Sequence, residues 1–440
     1  MSARTRARAK TAASLLALAA CAVPALALVG VAELRLALKP ARRARPVGAA
    51  RTVLLTGGKM TKALQLARMF DAVGCRVVLA ETRKYRFCGA RFSRSVDRFV
   101  TLPDFRNDGA DYAAALARIA RTERVDVLVP VASPAAALYD ARALPGLPCD
   151  AFSPGEATVR MLDDKHAFCE ACHRLGLSAP RVHRIESADE LLAFDFSGAE
   201  RYVLKSIPYD SAHRLDARTL PHPGWQDRVR SLRISPAEPW VLQEFVEGRE
   251  VCTHSTVRDG EIELYICSDS SPFQVNYAMV DLPAVHAWVE AFVGALGLTG
   301  QVSFDFIVRA DGTVMPIECN PRTHSAITLF HDQPDAAEAY LRPASSGLPE
   351  RRPHPTTRPT FWLYHELWRL ATARDAAERA RIVRRAREGH EAVFRWDDPL
   401  PFLMLNHVQI PILLLNSLLA GRGWTRIDFN IGKLVEPGGD

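Results

Sequence analysis

Cysteine is scarce in this sequence, and the number of cysteines is odd: nine are scattered over 440 residues. Such a set does not build a disulfide framework, so we expect free thiols and a reducing compartment. The run "CEACH" at 169–173 has the spacing of a haem-attachment site. The flanking residues have the apolar spacing of a helix, so helix packing of both thiols is favoured over haem attachment.

A strong excess of charge of one sign is also lacking. The formal net charge is +6, and part of the excess lies in basic clusters at 3–9, 39–45 and 381–387. This mild excess is compatible with anionic small molecules or a lipid headgroup surface, and it gives no reason to expect nucleic acid as a partner. A chain of 440 residues that is 48% hydrophobic is long enough for two or three domains, each with its own core.

Charged residues are absent between Thr11 and Ala32, a stretch long enough to cross a hydrocarbon core of about 30 Å. Basic residues flank it on both sides, so the charge distribution does not orient it. A cleaved signal peptide, an uncleaved anchor and an interfacial helix all fit this pattern. A second apolar segment, 401–424, is interrupted by polar residues, so we expect it to be interfacial or packed on the core, docked beside the first.

From residue 49 to 153, strand-like and helix-like segments alternate, which predicts a parallel, doubly wound, Rossmann-like sheet. The first strand ends in "LTGGKMTK", which lacks the G-x-G-x-x-G fingerprint of dinucleotide-binding proteins. Three alternatives remain for Gly57 and Gly58: a tight turn only, contact with a substrate together with Lys59, or an NAD site. The missing fingerprint makes the NAD site the least favoured of the three.

From residue 154 to 345 the pattern changes to an α+β arrangement. "MLDDKHAF" predicts a capped helix with Lys165 in its first turn, and "RYVLKS" predicts a strand that ends near Lys205. Two hairpins follow, with turns at Asp259-Gly260 and Asp311-Gly312.

The second hairpin carries three oxygen ligands on one face. A two-residue turn at Asp311-Gly312 places Asp305 directly opposite Glu318, and Asn320 lies two residues further along on the same face. Opposed carboxylates destabilise a sheet, so a cation is expected between them. Two carboxylates and an amide oxygen predict a Mg²⁺ site completed by substrate phosphates, with Mn²⁺ as a substitute. A merely solvated acidic edge is less favoured because the flanking residues are apolar.

Positive charge is predicted beside this metal site. Pro321 ends the strand and turns Arg322 toward the carboxylates, where a guanidinium neutralises a phosphoryl group in transfer. Lys165 and Lys205 supply further positive charge, although each lysine alone would also fit an exposed surface position. In combination with the hairpin downstream, they favour phosphoryl transfer.

The order of these residues, with "QEFVEGRE" between them, resembles the ATP-grasp superfamily, whose nucleotide lies between two α+β lobes. The resemblance implies that the hinge backbone meets adenine, that Glu250 takes the ribose hydroxyls, and that the two lysines meet the phosphates. It also implies that the hairpin ligands hold Mg²⁺ and that Arg322 assists the transferred group. The implied ATP-binding residues are Lys165, Lys205, Gln243, Glu244, Phe245, Val246 and Glu250. The implied metal ligands are Asp305, Glu318 and Asn320, and the implied catalytic residues are Lys205 and Arg322.

Two features depart from the superfamily pattern. The loop after Lys205, "SIPYDSAHR", has no glycine, so Ser206, Tyr209 and Ser211 become the candidates to cover the phosphates. The first metal ligand is the shorter Asp305, where the superfamily commonly has Glu, which leaves the metal spacing open.

Longer motifs narrow the resemblance. "MLDDKHAF", "LKSIPYDS", "EGREVCTHSTVRDG", "IECNPRTHSAITLF" and the C-terminal "IDFNIGKLVEPGGD" look like the mycosporine-glycine synthases, the ATP-grasp ligases of mycosporine-like amino acid biosynthesis. The resemblance covers nearly everything from residue 51 onward. It implies that ATP phosphorylates an enolic hydroxyl of the cyclohexenone 4-deoxygadusol and that glycine then displaces the phosphate. His254, His324 and Ser325 are candidates for contacts to the ring or to the glycine carboxylate, or else hydrogen-bonded structural residues.

The expected protein is therefore an α/β and α+β enzyme with an ATP-grasp domain at 154–345. A Rossmann-like (pre-ATP-grasp) domain at 49–153 precedes it, an apolar anchor with a basic linker occupies 1–48, and a C-terminal helical extension with an amphipathic segment occupies 346–440. A need for ATP disfavours export, so we expect a cytoplasmic catalytic part that is membrane-associated through the N-terminal helix. Another ATP-grasp carboxylate–amine ligase and a non-catalytic, membrane-anchored ATP-binding module remain as alternatives.

Overall fold

The computed structural model describes residues 3–39, 51–131, 133–198, 200–208, 218–270, 276–342 and 349–436. The helices are α1 Ala3–Leu38, α2 Thr61–Ala72, α3 Gly109–Thr122, α4 Pro134–Ala143, α5 Glu156–Asp163, α6 Lys165–Arg174, α7 Ala188–Leu192, α8 Trp225–Ser231, α9 Pro283–Ala295, α10 Glu338–Leu341, α11 Leu363–Thr372, α12 Ala376–Glu388, α13 Leu400–Met404 and α14 Ile410–Leu419. The strands are β1 Thr52–Leu55, β2 Arg76–Thr82, β3 Arg98–Leu102, β4 Val127–Val129, β5 Asp150–Ala151, β6 Val182–Ile185, β7 Tyr202–Ser206, β8 Thr219–Leu220, β9 Trp240–Glu244, β10 Arg249–Arg258, β11 Glu261–Asp269, β12 Asn276–Tyr277, β13 Gly300–Val308, β14 Val314–Asn320, β15 Thr360–Phe361, β16 His390–Glu391, β17 Arg426–Asp428 and β18 Lys433–Val435.

The first sheet is parallel and has the strand order β3-β2-β1-β4-β5, as the alternating pattern predicts. Its central strands are apolar and buried on both faces, which is typical of parallel sheets. The sequence pattern did not identify β3, because this edge strand is largely exposed or half-buried and does not form an apolar run. Gly57 has φ +69°, and a Cβ there would lie 1.8 Å from the carbonyl oxygen of Val131, so the turn after β1 requires glycine at this position.

Two antiparallel sheets follow. The smaller one has the order β6-β9-β7-β8, and the larger one has the order β11-β10-β13-β14. One face of the larger sheet packs against α6 and α9 through Phe304, Phe306 and Cys319, which are buried with Phe168 and Phe292. The opposite face is therefore the one left to bind a ligand.

The β13–β14 hairpin, which carries the predicted metal ligands and is called the metal hairpin below, forms with a different turn from the predicted one. The amide of Gly312 donates to the carbonyl of Arg309 at 3.0 Å, and Gly312 has φ +86°, so the loop has three residues, Ala310 to Gly312. Val308 consequently pairs with Val314, one residue away from the predicted register. A bulge between Asp305 and Phe306 then shifts the register back.

All nine cysteines are free, as expected. Cys169 and Cys172 are fully buried on α6 in the core beneath the larger sheet, which agrees with helix packing. The predicted capped helix with Lys165 in its first turn is confirmed: the Asp164 carboxylate accepts the amides of His166 and Ala167 and so caps α6.

The C-terminal segment, predicted as a helical extension, packs back on the parallel-sheet domain. Arg68 of α2 forms a buried ion pair with Asp398 at 2.9 Å, and the buried Gln409 donates to the carbonyls of Lys59 and Gly432. The predicted packing of the second apolar segment on the core is confirmed, because α13, a π-helix at Leu405–Gln409 and α14 lie in the core.

The N-terminal helix α1 docks against α13 and α14. Its two ends are fixed by polar contacts: Trp424 Nε1 donates to Thr11 Oγ1 at 2.9 Å, and Arg94 pairs with Glu33 at 2.5 Å. Two helical segments of the described chain, Thr5–Leu38 and Leu400–Leu419, are long and apolar enough to cross a membrane by length and composition alone.

Candidate active site

The predicted metal ligands lie on the open face of the larger sheet. Asp305 pairs directly with Glu318 in the β13–β14 ladder, as predicted, because the three-residue loop and the bulge offset each other. Asn320 pairs with Ser303 on the same face, and its Nδ2 donates to Asp305 Oδ2 at 3.3 Å. The two opposed carboxylates are oxygen ligands of the kind that fits Mg²⁺. The Asn320 amide lies beside them with its nitrogen toward Asp305 and its oxygen toward Arg322, so its role as a third ligand stays a prediction.

Both predicted lysines approach this carboxylate pair. Lys165 Nζ is 3.8 Å from Glu318 Oε1, at the first position of α6. A helix N-terminus disfavours a cation, so a lysine there is suited to a site that also holds anions. Burial lowers the pKa of the Lys205 ammonium. The carboxylates of Glu318 and Asp305 act in the opposite direction and raise this pKa. Lysines from two different elements thus face the same carboxylates.

Gln243 holds Lys205 in position. Its Oε1 accepts Lys205 Nζ at 2.7 Å, and its Nε2 donates to the carbonyl of Ile317 at 3.1 Å. The side chain is fully buried. The sequence places Gln243 in the nucleotide hinge; the structure shows that its side chain links strand β9 to Lys205 and to the metal hairpin.

Arg322 turns toward the metal face, as predicted from Pro321. Its Nη2 donates to Asn320 Oδ1, and its Nη1 donates to Asp163 Oδ1 at 2.9 Å. Asp163 is the last residue of α5, and the sequence analysis did not assign it a role at the site. The guanidinium is only 11% exposed, so these two partners fix its orientation at the edge of the site.

The hinge backbone is already engaged at two of its three positions. The amide of Glu244 donates to Arg181 at 2.8 Å, and that of Phe245 donates to Arg201 at 2.7 Å, both to carbonyl oxygens. Among the described residues, only the amide of Val246 has no recorded acceptor within the hinge. Of the three amides, that of Val246 is therefore the one that can donate to a purine base. The expectation that the backbone of Glu244 to Val246 meets adenine stays a prediction.

An apolar cluster lies beside the hinge. Val246, Ile307 and Met315 are buried together, with Ile317 packed against them. Ile307 also pairs with Glu250 across the β10–β13 ladder, and Glu250 Oε1 accepts the hydroxyl of Ser270 at 2.6 Å. The predicted ribose ligand therefore stands next to the apolar cluster.

These residues form three rows across the sheet. Glu250, Ile307 and Met315 form the base row; Cys252, Asp305 and Glu318 form the metal row; Ser303 and Asn320, with His254 of the neighbouring strand, form the junction row. Successive rows are two residues, or about 7 Å, apart along β10 and β13, and the bulge adds one residue to the first step along β14. Base, phosphate and acceptor positions can thus follow one another along the same face.

Gly57 and Lys59 line a separate pocket in the parallel-sheet domain, together with the buried Asp140. The Lys59 amide donates to Glu81 at 2.9 Å, and its Nζ lies 4.4 Å from the ring centre of Tyr85. All the lining residues of this pocket come from 56–140. The last residue of the "LTGGKMTK" stretch, Lys62, reaches across the domain junction to the carbonyl of Thr323.

Lys62 is a residue that the sequence analysis missed. It lies in the first turn of α2 with 7% of its surface exposed, and its Nζ donates to the carbonyl of Thr323, next to Arg322. Burial and the Arg322 charge lower the pKa of Lys62 to about 7. A lysine at a helix N-terminus, directly after a glycine turn, is electrostatically unfavourable, and this signal was present in the sequence.

The two candidate histidines lie side by side. The amide of His324 donates to His254 Nδ1 at 3.3 Å, and the amide of Ala326 donates to His324 Nδ1 at the same distance. Burial lowers the pKa of His254 well below its usual value and that of His324 to about 3, so both rings are neutral. Ser325 is tied to the C-terminal segment, since its Oγ accepts Asn430 Nδ2 at 2.8 Å.

One of the three residues predicted to cover the phosphates, Ser206, lies in the described part of the chain. Ser206 donates its hydroxyl to the carbonyl of Pro208 at 2.8 Å. Tyr209 and Ser211, the other two candidates, lie outside the described residues.

Comparison with known proteins places the fold. No protein-family model matches the chain, and no curated protein matches it. Among solved structures, an N5-carboxyaminoimidazole ribonucleotide synthetase in complex with ADP is similar at a TM-score of 0.54 and 16% identity, over 72% of this chain and 82% of that one. The L-amino acid ligase from Bacillus licheniformis is similar at 0.50 and 16%, over 63% and 68%. The phosphoribosylamine–glycine ligase from Thermotoga maritima is similar at 0.50 and 13%, over 70% and 78%.

At these identities the likeness establishes the fold and not the substrates. The chain has an ATP-grasp fold preceded by a parallel-sheet domain and an N-terminal apolar helix, as predicted.

Proposed function

We propose that this protein is an ATP-dependent, ADP-forming ligase that joins glycine to 4-deoxygadusol. The observation that carries the proposal is the approach of Lys165 and Lys205 to the opposed carboxylates Asp305 and Glu318. Arg322 lies beside this pair, where its guanidinium donates to Asn320. Phosphoryl transfer requires positive charge in a fixed position and a divalent cation. This face of the sheet supplies cationic side chains for the phosphates and carboxylates for the divalent cation. The choice of substrates rests on the sequence motifs that resemble the mycosporine-glycine synthases.

In this proposal Asp305, Glu318 and Asn320 would hold Mg²⁺, which would neutralise negative charge on the phosphates. Lys165 and Lys205 bind the phosphates, and Gln243 keeps Lys205 directed at them. Val246 donates its amide to the base above the apolar cluster. Arg322, held by Asp163, neutralises the phosphoryl group while it moves.

The chemistry of the acceptor explains the need for ATP. An enolic hydroxyl conjugated to a ketone is a vinylogous acid, and hydroxide leaves poorly. Transfer of a phosphoryl group to that oxygen converts it into phosphate, a good leaving group. The amine of glycine then attacks the same carbon, phosphate departs, and a conjugated enaminone remains.

A turnover assay tests the proposal directly. The full-length protein in detergent is incubated with ATP, Mg²⁺, 4-deoxygadusol and each of several amino acids, while ADP and the ultraviolet spectrum are followed together. We expect ADP in step with a red-shifted enaminone band and a preference for glycine. ADP release that depends on a carboxylate acid instead of the enolic ring would favour another carboxylate–amine ligase.

The alternative of a non-catalytic ATP-binding module predicts a different result. Asn320→Ala should keep nucleotide binding and lose most turnover, because it removes a metal ligand next to Arg322. Unchanged ADP formation by this variant at limiting Mg²⁺ would contradict the proposed metal role. Full biological activity of Glu318→Ala would favour the non-catalytic module.

We also propose that α1 lies in the plane of a membrane surface. One side of the helix, with Leu18 and Val29, packs on the core. The opposite side is apolar as well, yet Leu16, Leu34 and Leu38 are 72%, 61% and 74% exposed. Basic residues at its start complement anionic lipid headgroups. Because the helix is docked at both ends, an interfacial position fits better than a span leading away from the fold.

A further inference from the structure

We infer that Lys62 and His254 form an oxyanion site that binds the acceptor substrate and stabilises the negative charge that develops on its ketone oxygen. This inference rests on the proposed function and names two residues for one step of it. The ligand class is a small organic acid or vinylogous acid that presents a carbonyl or enolate oxygen.

The position of Lys62 supports this role. Its ammonium crosses from α2 to the chain segment after the metal hairpin, where it donates to the carbonyl of Thr323. An ammonium group has three donors. Within the described chain, this carbonyl is the one recorded acceptor for Lys62, so two donors remain for a ligand.

The tautomer of His254 supplies the second donor. Its ring is neutral, and Nδ1 accepts the amide of His324, so the ring proton is on Nε2. Nε2 is completely buried, and no acceptor for it is found among the described residues. A buried N–H group without a partner costs free energy, which a bound carbonyl or enolate oxygen would recover.

The charges around Lys62 favour an anionic ligand. Arg322 follows the metal hairpin and Lys59 lies in the same turn, and both cations lower the pKa of Lys62. Asp428 of β17 acts in the opposite direction, but its recorded contacts are to the amide of Ile431 at 3.0 Å and to Arg426 at 3.5 Å. An anionic ligand at this place would be attracted by Lys62 and by the nearby charge of Arg322.

The site lies next to the metal row. His254 is two residues beyond Cys252 on β10, and Cys252 pairs with Asp305. The step between rows is about 7 Å, comparable to the distance from a transferred phosphoryl group to the far oxygen of a six-membered ring. A ring phosphorylated at the metal row therefore extends its ketone oxygen toward Lys62 and His254.

The step these residues stabilise is the addition of the amine. The nitrogen lone pair forms a bond to the ring carbon that bears the phosphate, and the π electrons of the enone move onto the ketone oxygen. Lys62 Nζ and His254 Nε2 donate hydrogen bonds to that oxyanion. The electrons then return, the carbon–oxygen bond to phosphate breaks, and the nitrogen loses a proton to give the enaminone. Donors of this kind are worth about 10²–10³ in rate.

The first test compares Lys62→Met, Lys62→Arg and His254→Phe with the wild type as full-length proteins. We expect Lys62→Met to lower kcat for product about 100-fold while the KM for ATP changes little, and Lys62→Arg to retain more of it. Lys84→Met removes an exposed lysine of the same domain and is the matched control. Wild-type kcat in Lys62→Met and His254→Phe would overturn the inference.

A pH profile separates a donor role from a structural one. The free enzyme must carry a protonated Lys62, so kcat/KM of the wild type should fall above about pH 7 relative to Lys62→Arg, whose guanidinium stays charged. The groups that face Lys62 are Lys59, Arg322, Asp428 and the neutral His254 and His324. A constant ratio of the two profiles across pH 6 to 9 would contradict the donor role.

If the wild type shows no turnover, the proposed function fails, and this result is distinct from failure of the oxyanion site. In that case binding alone decides the inference: 1,3-cyclohexanedione, a simple vinylogous acid, is titrated calorimetrically into the wild type and Lys62→Met with ADP and Mg²⁺ present. Binding by the wild type that is lost in the variant supports the oxyanion site. Equal binding by both, or no binding by the wild type, overturns it.

Discussion

Asp305 lies directly opposite Glu318 in the β13–β14 ladder, so two like charges share one face of the hairpin. Without a divalent cation this arrangement is unfavourable. We expect Asp305→Asn to unfold at a temperature no lower than the wild type when metal is absent, because the repulsion is removed. Its stabilisation by ADP with Mg²⁺ should fall, by about 1.4 kcal/mol for a tenfold loss of affinity. Thermal unfolding with and without both ligands measures the two effects.

The matched control for this variant is Glu261→Gln, which removes an exposed carboxylate from the same sheet. It should leave the ligand-induced stabilisation unchanged. If Asp305→Asn is stabilised by ADP and Mg²⁺ as strongly as the wild type, Asp305 is not a metal ligand.

The contact between Arg322 and Asp163 makes a second prediction. Asp163 accepts Arg322 Nη1 at 2.9 Å and fixes the guanidinium that also reaches Asn320. Asp163→Asn should lower kcat about tenfold with little change in the KM for ATP, because the guanidinium is less well oriented during transfer. Arg322→Lys should lower kcat further, because lysine cannot reproduce the planar fork. Steady-state kinetics at saturating Mg²⁺ measure both.

Asp335→Asn is a suitable control because it breaks a surface ion pair with Arg351. We expect kcat within error of the wild type. Equal kcat values for Asp163→Asn and Asp335→Asn would remove Asp163 from the site.

The sequence predicted the pairing of Asp305 with Glu318 but not the path to it. The expected two-residue turn and the expected uninterrupted ladder are both wrong. The three-residue loop shifts the pairing register by one residue, and the bulge shifts it back by one residue. A bulge depends on packing of the whole sheet, which a local turn signal does not contain. The predicted pairing of Asp305 with Glu318 is therefore correct because two deviations from the predicted register cancel.

Residues contributed across long sequence distances could not be predicted in this way. Lys62 meets Thr323 across 261 positions, and Asn430 holds Thr61 at the start of the same helix. Such contacts depend on how the C-terminal segment returns to the parallel sheet, which hydrophobic periodicity does not encode. The parallel sheet, the two hairpins and the positions of Lys165 and Lys205 followed from local patterns and are confirmed.

Asp140 makes a prediction about stability and pH. Burial raises its pKa to about 7, although hydrogen bonds from Tyr112 at 2.6 Å and Thr56 at 3.3 Å oppose the shift and Glu81 adds to it. In the unfolded chain this carboxyl ionises near its ordinary value. Between about pH 4 and pH 7 the folded state therefore binds the extra proton, and stability falls as the pH rises.

Asp140→Asn removes this dependence and can keep both hydrogen bonds. We expect the variant to match the wild type near pH 4 and to exceed its free energy of unfolding by a few kcal/mol, of order 1.4 per pH unit, at pH 8. Urea unfolding at several pH values measures the difference. Parallel curves for the two proteins would show that Asp140 is ionised in the folded protein throughout.

The two apolar sides of α1 make the last prediction. Leu16 is 72% exposed and Leu18 is 7% exposed, although they are two residues apart on one helix. Leu16→Ser should weaken partitioning onto anionic vesicles by about tenfold, since a leucine side chain contributes about 1.5 kcal/mol or more when it leaves water, and should leave the free energy of unfolding unchanged. Leu18→Ala should do the reverse, with about 2–3 kcal/mol of lost stability from the cavity and unchanged partitioning. Vesicle sedimentation and urea unfolding of both variants test whether the exposed side of α1 contacts the membrane. A loss of stability in both variants would mean that α1 is only a core helix. Unchanged partitioning of Leu16→Ser would exclude the exposed side of α1 as the membrane contact.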